Sequence, residues 1–139
     1  MLEEGIRYSH SSGPGKRPAD KENKLAELAG VYLVAGRKAR TNLAYHSAIQ
    51  FLTYGKELLG DTGWQEAPEL AYDLHYERAL CEWMCGNFDR SMNQFDELLT
   101  HCDNVLQKTS IYQMMVELYA GKTELALARG KRAQRVWLF

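Results

Sequence analysis

Apolar residues in this chain recur at steps of three and four, and that spacing excludes most folds before any other property is consulted. Leu25, Leu28, Ala29, Tyr32, Ala35, Gly36 and Ala39 fall on one face of a helix. No segment alternates with period two for long enough to make a strand, so an all-α protein is expected. Asp20 reads as the N-cap of a first helix, and a second covers about 42–59 and stops at Gly60. "DTGWQEAP" reads as a loop, with Pro68 in the first turn of a third helix that runs to Cys85. Gly86 and Asn87 break the chain before a fourth helix over about 88–101. After "HCDN" a fifth runs to Ala120, Gly121 ends it, and a sixth occupies about 123–137.

The helices pair, and the pairs repeat. In the second helix of each pair the anchors are Tyr45, Ala48, Leu52 and Gly55; then Phe88, Ser91, Phe95 and Leu98; then Thr123, Ala126, Gly130 and Ala133. Each set keeps a three, four, three spacing on one helix face. The sets lie 43 and then 35 residues apart, near the tetratricopeptide period of about 34, with an insertion around Gly60–Ala67 lengthening the first step.

The second and third stretches resemble tetratricopeptide repeats: Gly86-Asn87-Phe88 and Gly121-Lys122-Thr123 sit where that motif turns between its helices. Gly36 and Ala79 hold its small helix-A position, which Met114 does not. A narrower resemblance covers about 24–139, to the helical arm downstream of the ATPase domain in bacterial multi-domain signal-transduction kinases. It rests on Ala35-Gly36-Arg37-Lys38-Ala39, Ala44-Tyr45, Ala48, Leu52, Gly55, Leu58-Leu59, Trp64, Tyr72, Leu74, Gly86 and Phe88. The resemblance implies a right-handed solenoid of about three antiparallel helix pairs over 20–139, and the Ser-, Gly- and Pro-rich start of the chain, without a period, reads as a flexible tail over 1–19. It also implies a non-catalytic interaction and regulatory module, since that family's chemistry lies in other domains. Carried over by position, Arg37, Arg40, Tyr76, Trp83, Tyr112 and Tyr119 would line a concave partner-binding groove. Aromatic and Arg side chains suit interfaces, although Trp83 and some of the tyrosines equally suit an inter-helix core.

Charge narrows the partners. The net charge is −1, but residues 61–106 carry ten Asp/Glu against two Lys/Arg, which argues against a phosphate-tracking surface, while the basic ends suit an acidic partner or an acidic face of the same kind of protein. No apolar run approaches the roughly 18 residues of a membrane span, and "MLEEGIRYSHSSGPGKRP" lacks the apolar centre of a secretory signal. Three cysteines in such a chain read as free thiols in a cytoplasmic protein.

The candidate chemistry is thin. Gly121-Lys122-Thr123 spells the end of a phosphate-binding loop, yet Val116 stands where the first glycine belongs and a helical pattern, not a strand, precedes it. An inter-helix turn is the expected reading, with no cofactor, no metal and no enzymatic activity. A nucleotide-dependent signalling regulator is the alternative from the enzyme class. A thiol or zinc sensor built on Cys81, Cys85 and Cys102, with His101 nearby, is a third reading. His75 occupies a helix-A position usually held by Trp and is expected to pack. The apolar end, Val136 to Phe139, offers a route to self-association.

Overall fold

The computed structural model describes the backbone of residues 19–138 and the side chains of residues 20–128. The expected tail, apart from Ala19, and the expected contact through Val136–Phe139 therefore fall outside the described backbone or side chains. The elements are α1 (Ala19–Thr41), α2 (Tyr45–Leu59), α3 (Gly63–Glu66), α4 (Pro68–Met84), α5 (Phe88–His101) and α6 (Val105–Leu138). All regular structure among the described residues is helical, as the spacing requires, and no described helix is long and apolar enough to cross a membrane. Asp20 is not a cap: it lies in the first turn of α1, where an acidic side chain complements the helix dipole. The segment read as a loop before Pro68 contains the single turn of α3.

The chain divides into two compact units, one ending at Gln94 and the other beginning at Phe95. In the first, α1 and α2 form an antiparallel pair. A Cβ on Gly55 would lie 3.4 Å from the Ala29 carbonyl oxygen, Tyr32 meets Phe51 and Tyr54, and a Cβ on Gly36 would fall 2.6 Å from Leu52 Cδ2. Glycine at 36 and 55 thus lets the helices approach where any side chain would displace a core leucine. On its other side α2 meets α4: a Cβ on Gly55 would lie 2.7 Å from Leu74 Cδ2, Arg78 reaches Thr53, and Cys85 lies beside His46. Those pairings run in opposite senses, so α4 is antiparallel to α2 and parallel to α1. Ala29, Leu33, Ala48, Leu52, Leu59, Ala71, Leu74 and Cys81 form the core between these three helices. The insertion packs too, with the Trp64 ring 4.7 Å from that of His75.

The α1–α2 and α4–α5 turns are built alike. Leu43 N–H donates to the Arg40 carbonyl at 2.9 Å and Ala44 N–H to that of Ala39 at 2.8 Å. Gly86 N–H donates to the Trp83 carbonyl and Asn87 N–H to that of Glu82, both at 2.9 Å. Both are Schellman closures, with a left-handed residue just past the helix. That residue is Gly86 (φ 86°) in one and Leu43 (φ 62°) in the other, 43 positions earlier, the same offset as the anchors. Leucine in this conformation costs about 1–2 kcal/mol, and Leu43 is 71% exposed, so little burial offsets the strain. Leu43→Gly is expected to stabilise the fold by about 0.5–1 kcal/mol, after the extra chain entropy of glycine. A fall in the urea midpoint would contradict the left-handed assignment.

The second unit holds the end of α5 and all of α6. Phe95, Leu98, Cys102 and Ile111 are buried in it. Asn104 caps α6, its Oδ1 accepting the Leu106 N–H at 2.8 Å. Here the sequence reading needs correction: Gly121 ends nothing. α6 runs unbroken for 34 residues, and the expected third helix pair over 105–137 is one helix. A helical glycine costs only about 1 kcal/mol, so a turn at Gly121 must be driven by what folds back after it. After Gly86 come Phe88, Ser91, Phe95 and Leu98, of which the last three are wholly buried. After Gly121 come Thr123, Ala126, Gly130 and Ala133, which hold too little apolar area to drive closure.

Candidate functional site

The parallel neighbours α1 and α4 share a face on which their charged side chains pair. Arg37 and Arg40, one turn apart near the end of α1, both converge on Glu77. Arg40 Nε donates to Glu77 Oε2 at 2.6 Å and Arg37 Nε to Oε1 at 3.2 Å. Arg37 also reaches Asp73 at 3.5 Å. The Glu77 side chain is only 8% exposed, while the arginines retain 45% and 34%. Two positive and two negative charges thus meet in one cluster that fixes the register of α1 on α4. Tyr72 and Tyr76 stand a helical step around from the two carboxylates, stacked with centroids 5.7 Å apart.

Asp73 gains less from its guanidinium partner than the short contact suggests. Burial raises the Asp73 pKa above 3.8, outweighing the attraction of Arg37. Folding therefore carries a penalty on the ionised form of Asp73, one that vanishes below the ordinary carboxylate value and is complete above the raised one. At neutral pH Asp73→Asn should leave stability unchanged or increase it. Glu77→Gln instead removes the anchor of two arginines that water still reaches, a loss of about 1–2 kcal/mol. Urea unfolding at pH 7 checks both; an Asp73→Asn loss as large as that of Glu77→Gln would refute the distinction.

A second, partly buried polar network lies elsewhere on α4. Arg78 Nε donates to Thr53 Oγ1 at 3.0 Å, and that hydroxyl donates onward to the Ile49 carbonyl at 2.7 Å. Buried Glu82 accepts from Asn87 Nδ2 at 2.9 Å, and Ser91 Oγ donates to the Ala79 carbonyl at 2.7 Å. These bonds join α2, α4 and α5 and satisfy groups that would be costly to bury alone.

Of the expected groove residues, Arg37 and Arg40 converge on Glu77 of α4, while Tyr76 stacks on Tyr72 a helical step around α4 from that carboxylate. Trp83 continues the Tyr72–Tyr76 stripe along α4 but is only 7% exposed, its ring edge-on to Phe88 at 4.5 Å. Tyr112 and Tyr119 lie on α6 in the second unit and are 56% and 47% exposed. Sequence reasoning missed Tyr72, Asp73 and Glu77. The available signal was two carboxylates four apart on α4 matching two guanidiniums three apart on α1.

The cysteines do not converge on a shared chemistry. Burial pushes the Cys81 thiol up to about 12, helped by the Glu77 charge, so the free side chain is held as the less reactive thiol at neutral pH. Burial also raises Cys85, whose Sγ lies 3.9 Å from His46 Nδ1, and Cys102, which belongs to the second unit. Among the described residues no three His, Cys, Asp or Glu side chains are placed to hold a metal ion. His75 is buried with Nδ1 2.8 Å from the Ala71 carbonyl oxygen, a packing arrangement. The Gly121-Lys122-Thr123 amides lie inside α6, where backbone groups bond along the helix rather than converging on a phosphate. A cleft of about 230 Å³ between Leu25, Ala26, Leu58 and Ala67 is smaller than the roughly 300–1,000 Å³ of small-molecule sites.

No comparison supplies a family. No family model matches the chain, and no curated protein or solved structure is significantly similar to it. Its function must be argued from its own residues.

Proposed function

We propose that the chain is a non-catalytic interaction and regulatory module, built on tetratricopeptide-like helix pairs and serving as the helical arm of a cytoplasmic bacterial signalling ATPase or kinase. The observation that carries this reading is the equivalence of the two turns at Leu43 and Gly86, 43 residues apart, with α4 laid parallel on α1. Stacked pairs of this kind present their first helices side by side, and a surface of that type is suited to proteins and peptides. On this chain the surface would carry Arg37, Arg40, Tyr72 and Tyr76, side chains with large contact area and directional polar ends.

The proposal has a two-part test. The DNA flanking the coding segment should carry an ATPase domain in the same reading frame. That ATPase domain, added to the purified chain in a titration, should give saturable binding that Tyr76→Ala weakens at least about tenfold without altering the thermal midpoint. Binding of ATP-Mg²⁺ that depends on Lys122 would instead favour the nucleotide-regulated alternative.

A further inference from the structure

The side of α6 turned to solvent is as apolar as a helix seam, and its spacing identifies what covers it. Ile111 is fully buried, and Met114, Met115 and Leu118 are half-buried, so these residues mark the face that packs within the protein. Opposite lie Val105, Thr109, Tyr112, Val116, Tyr119 and Thr123, with steps of four, three, four, three and four. Val105, Tyr112, Val116 and Tyr119 are 74%, 56%, 68% and 47% exposed. The step continues in the sequence to Ala126. A mean spacing of 3.5 rather than 3.6 keeps one stripe facing one partner helix along its whole length, the property that defines a coiled-coil seam.

We infer that α6 pairs with α6 of a second copy of this chain as a parallel two-stranded coiled coil, with Val105, Tyr112 and Tyr119 at d and Thr109, Val116 and Thr123 at a. Two observations select this occupant. The first is area: with Leu106 and Leu127 at the flanks, the stripe exposes on the order of 700 Å², beyond the roughly 300–600 Å² of a monomer's largest patch and near the roughly 800 Å² each partner contributes to a stable interface. The second is charge. The g positions hold Lys108, Met115 and Lys122, and the e positions hold Gln113, Ala120 and Leu127. A parallel in-register pair sets Lys108 against Gln113 and Lys122 against Leu127 of the other copy, with no like charges opposed. An antiparallel pair would bring g against g and lysine toward lysine. The threonines at a make this a modest seam, one that associates at micromolar rather than nanomolar concentration.

Sedimentation of the full chain between about 1 and 100 µM should show a monomer–dimer equilibrium. Tyr112→Glu and Val116→Glu should each abolish the dimer while keeping the helical circular dichroism, because glutamate is the better helix former at an exposed site. Thr109→Ile with Thr123→Ile should tighten association at least about tenfold. Single Thr109→Cys and Thr123→Cys chains, with the native cysteines replaced, should each form a disulfide with a copy of themselves. A chain that stays monomeric across the range would overturn the inference. So would a dimer indifferent to Val116→Glu but lost on deleting 136–139, or a disulfide formed only between the Thr109→Cys and Thr123→Cys chains.

Discussion

Ala48→Asp should cost about 3–5 kcal/mol and bring the chain close to unfolding at 25 °C. Ala48 is wholly buried in the core between α1, α2 and α4, among Ala29, Leu33, Leu52 and Leu74. A carboxylate there meets no basic partner in that core cluster, so it must be buried charged or take up a proton, and either route costs several kcal/mol. Set against the roughly 5–15 kcal/mol of an ordinary domain, that is a large fraction of the total. Ser91 occupies the equivalent anchor of the next pair and is also wholly buried, with its hydroxyl on the Ala79 carbonyl. Ser91→Trp should cost about 1–3 kcal/mol by overpacking, plus the lost hydrogen bond. Urea midpoints that match the parent for both variants would mean the two anchors do not mark the helix crossings.

Gly121→Pro should be the most damaging substitution on α6, at about 3 kcal/mol against helical structure from 117 onward. Proline removes an intrahelical bond and collides with the carbonyl of residue 117, whereas at a left-handed turn the loss would have a different signature. The companion variants separate the cases. A Cβ at Gly121 meets nothing within 4 Å and its φ is helical, so Gly121→Ala should raise helicity and stability by up to about 1 kcal/mol. Gly86 has φ 86°, so Gly86→Ala should instead lose about 1–2 kcal/mol despite equal open space around it. Circular dichroism and thermal unfolding of the three variants report both signs. A loss in Gly121→Ala comparable to that in Gly86→Ala would return Gly121 to a turn.

Glycine shows where local spelling stops being informative. α1, α2, α4 and α5 were legible because their anchors are bulky or closely packed, so period and burial point to one answer. Gly86 and Gly121 look alike in sequence, each 35 residues from the other and each followed by a polar residue. They differ because Phe88 and Phe95 can anchor a returning helix while Thr123 and Gly130 cannot, a tertiary property of segments several turns away. The site follows the same division. Arg37 and Arg40 are readable as neighbours on α1, but their convergence on Glu77 depends on α4 lying parallel to α1, and no local pattern encodes that register. Tyr76 was found through a repeat alignment, whereas its stacking partner Tyr72 needed the helix face itself. Burial of Cys81, which raises its thiol pKa, is likewise a tertiary property that the spacing of Cys81 and Cys85 does not report.

The most direct test of the account is the length of α6, since both the correction to the third pair and the self-pairing of the chain depend on it. Spin labels on Ser110→Cys and Arg132→Cys, with Cys81, Cys85 and Cys102 replaced and the labelled chain diluted into unlabelled chain, would measure it by electron–electron resonance. The labelled positions are 22 residues apart, so a continuous helix predicts a separation of about 33 Å between their backbones. A helix pair closed at Gly121 would bring the two positions to roughly 10 Å, the spacing of packed helices. A narrow distribution near the longer distance is the expected result. A dominant short distance would restore the third helix pair and remove the seam on which the dimer rests.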